Sequence, residues 1–402
     1  MKNVILFDDE NWSALLPLTY AKPIGELRVG ILTIKQKWER LLHAEVSYIT
    51  QDYLSVKYPF QLKDDNYIIN SSVLPIPFIV ERINELELNS AILWGDKLIA
   101  SRIDRAHFDA MQQNRESEEL KGIDISVEDE VLVEIKRPYD ICKCNRLAIE
   151  LDFELLSRDR DSESLPPSNR YTNPENIFLE PGAKIQNSIL NASEGPIYIA
   201  EGAEIMDGSM IKGPFAMLEG SVIKMGTIIY GPTTLGPFSK IGGELARVVI
   251  QGYSNKAHNG YLGDSVIGEW CNLGAGTNAS NLKNNYSNVK VFNYKTEVFE
   301  STESQFCGLI MGDHVKCGIN TMFNTGTVIG FGSNVFGSGF PKKFIPGFSW
   351  GAVDDLQTYR LDKFMTVAAI VLKRRAKTLS ETDIDIIKHI FHFSARLRDW
   401  ED

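Results

Sequence analysis

An aliphatic side chain recurs at every sixth position in the second half of the chain, and this spacing limits the possible folds more than any other feature. Eight consecutive members are Ile199, Ile205, Ile211, Met217, Ile223, Ile229, Leu235 and Ile241. A step of six fits neither the 3.6-residue period of a helix nor the two-residue alternation of a single strand. It fits short strands joined by tight turns, with each aliphatic side chain directed inward.

Two further positions repeat in the same register. The residues four positions after the first seven aliphatics are Ala203, Ser209, Phe215, Ser221, Thr227, Thr233 and Ser239. All of these except Phe215 have small side chains. The preceding position is glycine or proline in six successive units, as expected for tight turns that need a positive φ or a fixed one. Three such units predict one triangular coil, and stacked coils predict a β-solenoid with a buried aliphatic column.

The glycines divide the chain into regions of different architecture. Four of the 31 precede residue 166, 27 lie between residues 166 and 355, and none follow. Residues 1–156 alternate strand-like and helix-like patterns, which favours an α/β fold with a largely parallel sheet. Residues 157–176 are polar and proline-bearing, as in a linker. We predict an α/β domain over 1–165, coils over 166–355 and a helical segment over 356–402.

Charge and cysteine content narrow the classes of protein to which the chain can belong. Its 42 Lys and Arg against 53 Asp and Glu give a net charge of −11, which argues against a general nucleic-acid binder. No run approaches the roughly 20 apolar residues of a membrane helix, and the short apolar start lacks a signal-peptide cleavage site. Five cysteines without CxxC spacing indicate neither a disulfide framework nor a zinc site. We therefore expect a cytoplasmic protein without nucleic-acid or membrane partners.

The six-residue step is interrupted twice, between about residues 243 and 265 and between about 277 and 305. Interruptions of a solenoid are expected to be loops on one face, commonly the binding face. The first interruption contains SNKAHNGYLGDSVIGEWCNLGAGT, residues 254–277. This segment resembles the acetyltransferase half of the GlmU-type bifunctional enzymes, which acetylate glucosamine-1-phosphate and couple the product to UTP. The resemblance implies a left-handed parallel β-helix that binds acetyl-CoA and assembles as a homotrimer.

The resemblance also implies roles for individual residues. An amine must lose a proton before it attacks a thioester, and imidazole is a suitable base, so His258 is the candidate catalytic base. Glu244 has the spacing of the family's carboxylate near that histidine, although a shift of register would put Lys240 there. The remaining implied contacts are with the sugar phosphate for Lys256, Tyr261, Asn272 and Asn281, and with acetyl-CoA for Ala275. Leu282 departs from the family's tyrosine. The alternative for His258 is a loop histidine without a task.

The first domain carries part of a second pattern. Sugar nucleotidyltransferases grip a triphosphate with a glycine-rich loop after the first strand, and this loop is absent because the first glycine is Gly25. Leu16-Pro17-Leu18-Thr19 and Lys22-Pro23 nevertheless resemble the Pro-Leu-Thr and Pro-Lys elements of that class. The resemblance implies a divergent nucleotidyltransferase-like, Rossmann-like domain in which Lys22 and Arg28 bind the nucleotide. The alternative is a degenerate scaffold.

Nucleotidyl transfer in that class uses Mg²⁺ bridging the phosphates. The resemblance implies one metal ligand at Asn145, in an Asn-Arg-Leu element. Two places compete for the family's strand-Gly-Asp motif. Residue chemistry favours Asp96, whereas order along the chain favours residues 69–72, Ile-Asn-Ser-Ser, where the aspartate would be lost.

These residues predict a bifunctional transferase of UDP-N-acetylglucosamine biosynthesis. Its reactions would be N-acetylation of glucosamine-1-phosphate by acetyl-CoA and uridylyl transfer to the sugar 1-phosphate. One alternative is a nucleotidyltransferase of another specificity, such as glucose-1-phosphate with dTTP, whose coils are only structural. Another is a non-catalytic regulatory subunit, against which the segment 254–277 argues.

Overall fold

The chain divides into two compact units in a computed structural model that describes residues 1–112, 120–352 and 355–401. Unit 1 comprises the described residues of Met1–Trp12, Lys22–Leu27 and Leu32–Lys136. Unit 2 comprises Ser13–Ala21, Arg28–Ile31 and the chain from Arg137 onward. The chain thus enters the second unit before residue 165, the predicted domain boundary, and two short segments of the N-terminal region also belong to unit 2.

Unit 1 is an α/β unit built on a six-stranded sheet. Its strands are β1 (Lys2–Phe7), β2 (Ala44–Ile49), β3 (Asp65–Asn70), β4 (Ser90–Trp94), β5 (Lys97–Asp104) and β6 (Lys121–Asp124). The helices of the N-terminal region are α1 (Asn11–Ala14), α2 (Ile34–Leu42), α3 (Asp52–Ser55), α4 (Pro77–Asn84) and α5 (Arg105–Gln112), with a 3-10 turn at Ile24–Glu26. The predicted alternation of strands and helices is confirmed.

The sheet has the strand order β2-β1-β3-β5-β4-β6. Strands β1, β2 and β3 are parallel, β4 and β6 are parallel, and β5 runs antiparallel to β3 and β4. The ends of β1 and β3 and the start of β5 therefore share one edge of the sheet. Helix α2 begins at a capping box, in which Thr33 accepts from the Gln36 amide and Gln36 accepts from that of Thr33.

Unit 2 contains a parallel β-helix with three faces. Face A consists of β7 (Arg170–Thr172), β10 (Ile189–Asn191), β13 (Met210–Lys212), β16 (Ile228–Tyr230), β19 (Glu244–Ala246), β22 (Tyr261–Gly263), β25 (Asn278–Ala279) and β30 (Met322–Phe323). Face B consists of β8 (Ile177–Leu179), β11 (Ile197–Ile199), β14 (Phe215–Met217), β17 (Thr233–Leu235), β20 (Val249–Gly252), β23 (Val266–Glu269), β28 (Ile310–Met311), β31 (Val328–Ile329) and β33 (Phe344–Ile345).

Face C ends in an antiparallel pair. It consists of β9 (Lys184–Ile185), β12 (Glu204–Ile205), β15 (Val222–Ile223), β18 (Lys240–Ile241), β21 (Asn255–Lys256), β24 (Asn272–Leu273), β29 (Lys316–Cys317), β32 (Asn334–Val335), β34 (Ser349–Ala352) and β35 (Asp355–Thr358). Strands β34 and β35 are antiparallel, whereas the other neighbours on the three faces pair in parallel. A 3-10 turn at Pro174–Asn176 joins β7 to β8.

The predicted aliphatic column is confirmed. All eight residues from Ile199 to Ile241 that repeat at steps of six are buried in one core cluster. The small side chains of the repeat are buried beside them, and several hydroxyls donate to the carbonyl three residues earlier. Thr227 Oγ1, for example, donates to Lys224 O over 2.5 Å. The hydroxyl thus satisfies a turn carbonyl that the core would otherwise desolvate.

The two predicted interruptions have different structures. Met217 pairs with Leu235, eighteen residues later, but Leu235 pairs with Ile250 after fifteen residues and Ile250 with Ile267 after seventeen. The first interruption is therefore a shortening of the coils, and the expected projecting loop is not formed there. The second is an insertion that contains the antiparallel hairpin β26 (Lys290–Asn293) and β27 (Val298–Ser301).

Helices cover parts of the β-helix. Ile149 of α6 (Asp140–Ser157) packs in a buried cluster with Phe178 and Tyr198 of face B. The C-terminal helices α7 (Leu361–Lys373) and α8 (Glu381–Phe393) are followed by a 3-10 turn at Ala395–Leu397. The predicted parallel β-helix with C-terminal helices is therefore confirmed. Within the described residues, no helix combines the length and apolar character that crossing a bilayer requires.

Candidate functional site

The turn that carries His258 lies between β21 and β22, where face C passes into face A. We call the stacked turns at this position the C–A corner. The side chain of His258 is exposed. On the preceding coil Glu244 begins β19, is also exposed, and pairs in register with Tyr261 of β22. The structure thus brings Glu244, the His258 turn and Tyr261 together on successive coils, whereas Lys240, the alternative to Glu244, lies in β18 of face C.

Glycines allow the backbones of these turns to approach closely. A Cβ atom at Gly243 would lie 3.0 Å from His258 O, and one at Gly260 would lie 2.1 Å from Thr277 O. Both glycines have a positive φ, +86° and +122°, which other residues rarely adopt. In addition, Glu244 N donates to Gly260 O over 3.2 Å. The backbone that presents His258 is therefore packed between the coils before and after it.

Lys256 directs its side chain into the core of the coils. The residue is only 2% exposed, and its Nζ donates to Gly242 O over 3.0 Å and to His258 O over 2.7 Å. Burial lowers the pKa of Lys256 to about 8, because the charged form loses water. The structure therefore gives this ammonium backbone partners inside the protein, in place of the surface position expected of a sugar-phosphate ligand.

A polar network surrounds Tyr261. Asn281 Nδ2 donates to Tyr261 Oη over 3.2 Å and to Asp264 Oδ2 over 2.5 Å. Arg247 donates to both oxygens of Asp264, over 2.6 Å and 2.7 Å, and this pairing raises the pKa of the guanidinium. Burial, aided by Asp264, raises the pKa of Tyr261. The network fixes the hydroxyl and amide that the sequence assigned to substrate binding.

Two members of this network were not predicted as site residues. Asp264 lies within the segment 254–277 that resembles the acetyltransferases, so a signal for it was present in the sequence. Arg247 follows β19 outside any motif, and its pairing with Asp264 depends on the stacking of successive coils. Gly263 is also required, because a Cβ there would lie 2.4 Å from Tyr261 Oη.

Asn272 and Ala275 lie on the following coil. Asn272 is exposed on β24 of face C, and Ala275 is half-buried in the turn after that strand. The carbonyl of Ala275 accepts from Asn320 N over 2.7 Å. Neither residue belongs to the hydrogen-bond network of Tyr261, so their predicted contacts with sugar phosphate and acetyl-CoA stay predictions.

Unit 1 has a separate polar cluster at the shared edge of β1, β3 and β5. Asp9 Oδ2 accepts from Asn70 Nδ2 and from Ser72 Oγ, each over 3.0 Å. Lys97 Nζ lies 3.3 Å from the same oxygen and forms an ion pair with Glu134. The carboxylates of Asp9 and Glu134 therefore flank the half-buried ammonium of Lys97. The alternative motif at residues 69–72 therefore lies in the cluster, with Asp9 contributing the carboxylate that this motif lacks.

Asp8 is the neighbour of this cluster in the chain. It accepts from Thr50 Oγ1 over 2.6 Å and from Ile24 N over 3.0 Å. Burial nevertheless raises the pKa of Asp8 to about 7, against the opposing effect of these hydrogen bonds. Asp8 and Asp9 follow the first strand directly, but no sequence motif singled out either of them as a site residue.

The predicted nucleotide and metal residues occupy different places. In unit 1, Lys22 is buried, and Asp96 is exposed in the two-residue turn between β4 and β5. In unit 2, Arg28 donates to Gln251 O over 3.4 Å and to the carbonyl of Ile31. Its backbone amide also donates to Gln251 Oε1 over 2.7 Å. Arg28 is thereby tied to β20 of the β-helix.

Asn145 does not fit a magnesium ligand in this arrangement. The residue is buried, and its Oδ1 already accepts from Gly30 N over 2.8 Å and Thr234 Oγ1 over 3.1 Å. Over residues 1–112, 120–352 and 355–401, no three carboxylate, imidazole or thiol side chains form a group that could hold a metal ion.

Comparisons with known proteins find similarity over parts of the chain. Residues 4–161 match the family model of sugar nucleotidyl transferases. The chain is 37% identical over 170 residues to a bifunctional sugar-1-phosphate nucleotidylyltransferase/acetyltransferase of Sulfurisphaera tokodaii, a match covering 42% of this chain and 41% of the relative. It is 38% identical over 161 residues to the bifunctional protein GlmU of Methanococcus aeolicus, covering 40% of this chain and 38% of the relative.

A third relative, the bifunctional protein GlmU of Methanococcus maripaludis, is 39% identical over 171 residues, covering 42% of this chain and 40% of the relative. The chain thus spans about two fifths of the length of these curated relatives. The resemblance found in the sequence is confirmed: residues 4–161 match the family model of sugar nucleotidyl transferases, and part of the chain is similar to bifunctional proteins of the GlmU type.

Proposed function

We propose that the protein is a bifunctional transferase of UDP-N-acetylglucosamine biosynthesis. The β-helix would transfer an acetyl group from acetyl-CoA to the amine of glucosamine-1-phosphate, and unit 1 would transfer a uridylyl group from UTP to the sugar 1-phosphate. The observation that carries the first half is the C–A corner, where an exposed histidine stands on a closely packed turn beside Glu244 and Tyr261. The name of the Sulfurisphaera tokodaii relative combines the same two classes of reaction.

The acetyl transfer would proceed by direct attack. The amine nitrogen forms a bond to the thioester carbonyl carbon, and His258 accepts the proton that the nitrogen must lose. The carbon–sulfur bond then breaks, and the departing sulfur takes up a proton to give free CoA. Glu244, one coil away, would stabilise the imidazolium that forms. No covalent bond to the enzyme is needed, because donor and acceptor can react in one site.

Substrate binding would use the groups around this turn. Tyr261, Asn272 and Asn281 would contact the sugar phosphate, and Ala275 would contact acetyl-CoA. Arg247 donates from Nε and Nη2 to the two carboxylate oxygens of Asp264. We therefore propose that the Arg247–Asp264 ion pair holds Asn281 and Tyr261 in place.

The acetyl-transfer proposal is tested by thiol release from acetyl-CoA in the presence of glucosamine-1-phosphate. We expect His258→Ala to lower turnover by about 10²- to 10⁴-fold, the usual contribution of a general base. His392→Ala is the matched control, because this histidine is exposed on α8. An undiminished rate for His258→Ala would refute the assignment.

The nucleotidyl half rests on the family match of residues 4–161. The polar cluster at the sheet edge supports it, because Lys97 is a cation that phosphate oxygens could share with Asp9 and Glu134. In this proposal Lys22 and Arg28 would contact the nucleotide, and Asp96 would contact the metal ion. Mg²⁺ would enter together with the triphosphate. Release of pyrophosphate from UTP and N-acetylglucosamine-1-phosphate is the measurement.

We extend the proposal to a cytoplasmic homotrimer. All five cysteines are free thiols, as is usual in a reducing compartment. Face A exposes Ile189 and Met210 on successive coils, an apolar strip of the kind that contacts between subunits cover. Sedimentation of a monomer at micromolar concentration would contradict the trimer.

A further inference from the structure

The core column of face C contains one lysine among aliphatic residues. Ile205, Ile223 and Ile241 occupy this column on three successive coils, and each pairs in register with the next. Lys256 pairs with Ile241 at the same inward position on the following coil. Burial of a lysine costs desolvation free energy unless its ammonium is hydrogen-bonded. The inward direction of Lys256 therefore needs a local explanation.

Regular coils satisfy one turn carbonyl with a hydroxyl. The hydroxyl stands four residues after the inward residue of face C and donates to the carbonyl one residue after it. Ser209 Oγ donates to Met206 O over 2.8 Å, Thr227 Oγ1 to Lys224 O over 2.5 Å and Thr277 Oγ1 to Gly274 O over 2.7 Å. The arrangement occurs at the C–A corner both before and after the His258 turn.

Two successive coils lack this hydroxyl. After Ile241 the chain passes through Gly242 and Gly243 directly into β19, so the position does not exist there. After Lys256 the position is Gly260, where a Cβ would lie 2.1 Å from Thr277 O, so no serine or threonine fits. Lys256 Nζ supplies the missing donor. It donates to Gly242 O, the carbonyl that corresponds to Lys224 O. It also donates to His258 O, one residue beyond the equivalent carbonyl of its own coil.

We propose that Lys256 is a positioning residue that holds the carbonyls of two successive turns from within the core and so fixes the backbone presenting His258. It has this role in place of contact with the sugar phosphate. The inference rests on the proposed acetyl transfer. One charged side chain replaces the hydroxyl missing after Ile241 and adds a hydrogen bond to His258 O, so the irregular turns at 242–243 and 257–260 are joined from within the core.

The test compares Lys256→Met with Thr227→Val, using acetyl-CoA and glucosamine-1-phosphate. Each variant removes a side-chain donor to a turn carbonyl at the C–A corner, but Thr227 lies on a regular coil. We expect Lys256→Met to lower kcat by about 100-fold, the scale of a misplaced catalytic group, with both KM values changed less than about twofold. Thr227→Val is expected to keep the wild-type kcat. Lys256→Gln, whose amide can donate to one carbonyl, should recover part of the loss.

A second readout needs no turnover. Amide hydrogen exchange of residues 257–260 should be faster in Lys256→Met than in the wild type, and unchanged in Thr227→Val. Unchanged exchange would overturn the inference even if the wild type proved inactive, an outcome that would refute the proposed function separately. A raised KM for the sugar phosphate with unchanged kcat would make Lys256 a substrate ligand instead. If Lys256→Met does not fold, Lys256→Gln replaces it in the test. A Lys256→Gln protein with the kcat and the amide exchange of the wild type would then overturn the inference.

Discussion

The two candidate sites of the protein hold their side chains in place by different means. At the C–A corner, successive backbones meet so closely that Gly243, Gly260 and Gly263 leave no room for a Cβ atom. In unit 1, ion pairs and hydrogen bonds among Asp9, Lys97 and their neighbours define the cluster. The first site should therefore be sensitive to added atoms, and the second to removed charge.

The largest expected effect comes from removing the central charge of unit 1. Lys97→Met would leave Asp9 and Glu134 facing each other without the cation between them, and would remove a phosphate partner. We expect pyrophosphate release to fall by about 100-fold or more, as when an electrostatic partner of the reacting group is lost. Acetyl transfer should be unchanged.

The control for this charge is Lys63→Met. Lys63 forms a surface ion pair with Glu45 over 2.6 Å, and both side chains are about half exposed. Such pairs contribute little, so nucleotidyl transfer should stay at the wild-type rate. Equal losses in the two variants would show that the cluster at the sheet edge has no special role.

Added atoms test the other side of the comparison. In Gly263→Ala the new Cβ would lie 2.4 Å from Tyr261 Oη and 2.6 Å from Asn281 Nδ2, so the ends of both side chains must move. We expect acetyl transfer to fall by about 100-fold, because displacements near 1 Å are costly to catalysis. Thiol release measures the effect, and circular dichroism checks that the β-helix persists.

Gly226→Ala is the matched glycine on a regular coil. Its φ is +68°, but a Cβ there would meet nothing within 4 Å. The strain of about 1–2 kcal/mol should lower the melting temperature without changing acetyl transfer. If Gly226→Ala reduced the rate as much as Gly263→Ala, close packing would not distinguish the site from its scaffold.

A smaller effect is expected from Asp264→Asn. The change keeps the shape and suits the positive φ of 44° at this position, but removes the charge that Arg247 pairs with. We expect kcat/KM for glucosamine-1-phosphate to fall by about tenfold, the scale of one charge-assisted hydrogen bond. Asp207→Asn, at a half-buried carboxylate that accepts from Asn187, should leave the rate unchanged. A fall of kcat/KM in Asp207→Asn but not in Asp264→Asn would contradict this prediction.

The coils were largely predictable because their pattern is local. A residue six positions further along occupies an equivalent place, so the column from Ile199 to Ile241 followed from spacing alone. The turn with His258 followed from a contiguous motif. The inward direction of Lys256 did not, because lysine normally lies at the surface and only the missing hydroxyls at 242–243 and 260 explain its burial.

The cluster of unit 1 could not be predicted in the same way. Asp9, Ser72 and Lys97 are far apart in sequence, and they meet because β3 lies between β1 and an antiparallel β5. A strand-like pattern carries no information on its neighbours or its direction. The same limit applies to Arg28 and Asn145, whose polar atoms are used within unit 2.

The smallest effect is a pH dependence of stability from Asp8. Its folded-state pKa of about 7 exceeds the ordinary 3.8 of an aspartate, so the folded protein binds this proton more tightly than the unfolded chain does. The contribution to stability is complete below about pH 4 and is lost as the pH rises through 7.

Asp8→Asn cannot ionise, yet its amide oxygen can still accept from Thr50. We expect the wild type to lose about 1 kcal/mol relative to Asp8→Asn between pH 4 and pH 7, less than full linkage because the carboxyl is partly accessible to water. Denaturant unfolding at several pH values measures the difference, and parallel profiles for the two proteins would show that Asp8 is ionised throughout. That outcome would place a second full negative charge beside Asp9 and make Lys97 still more necessary to the cluster.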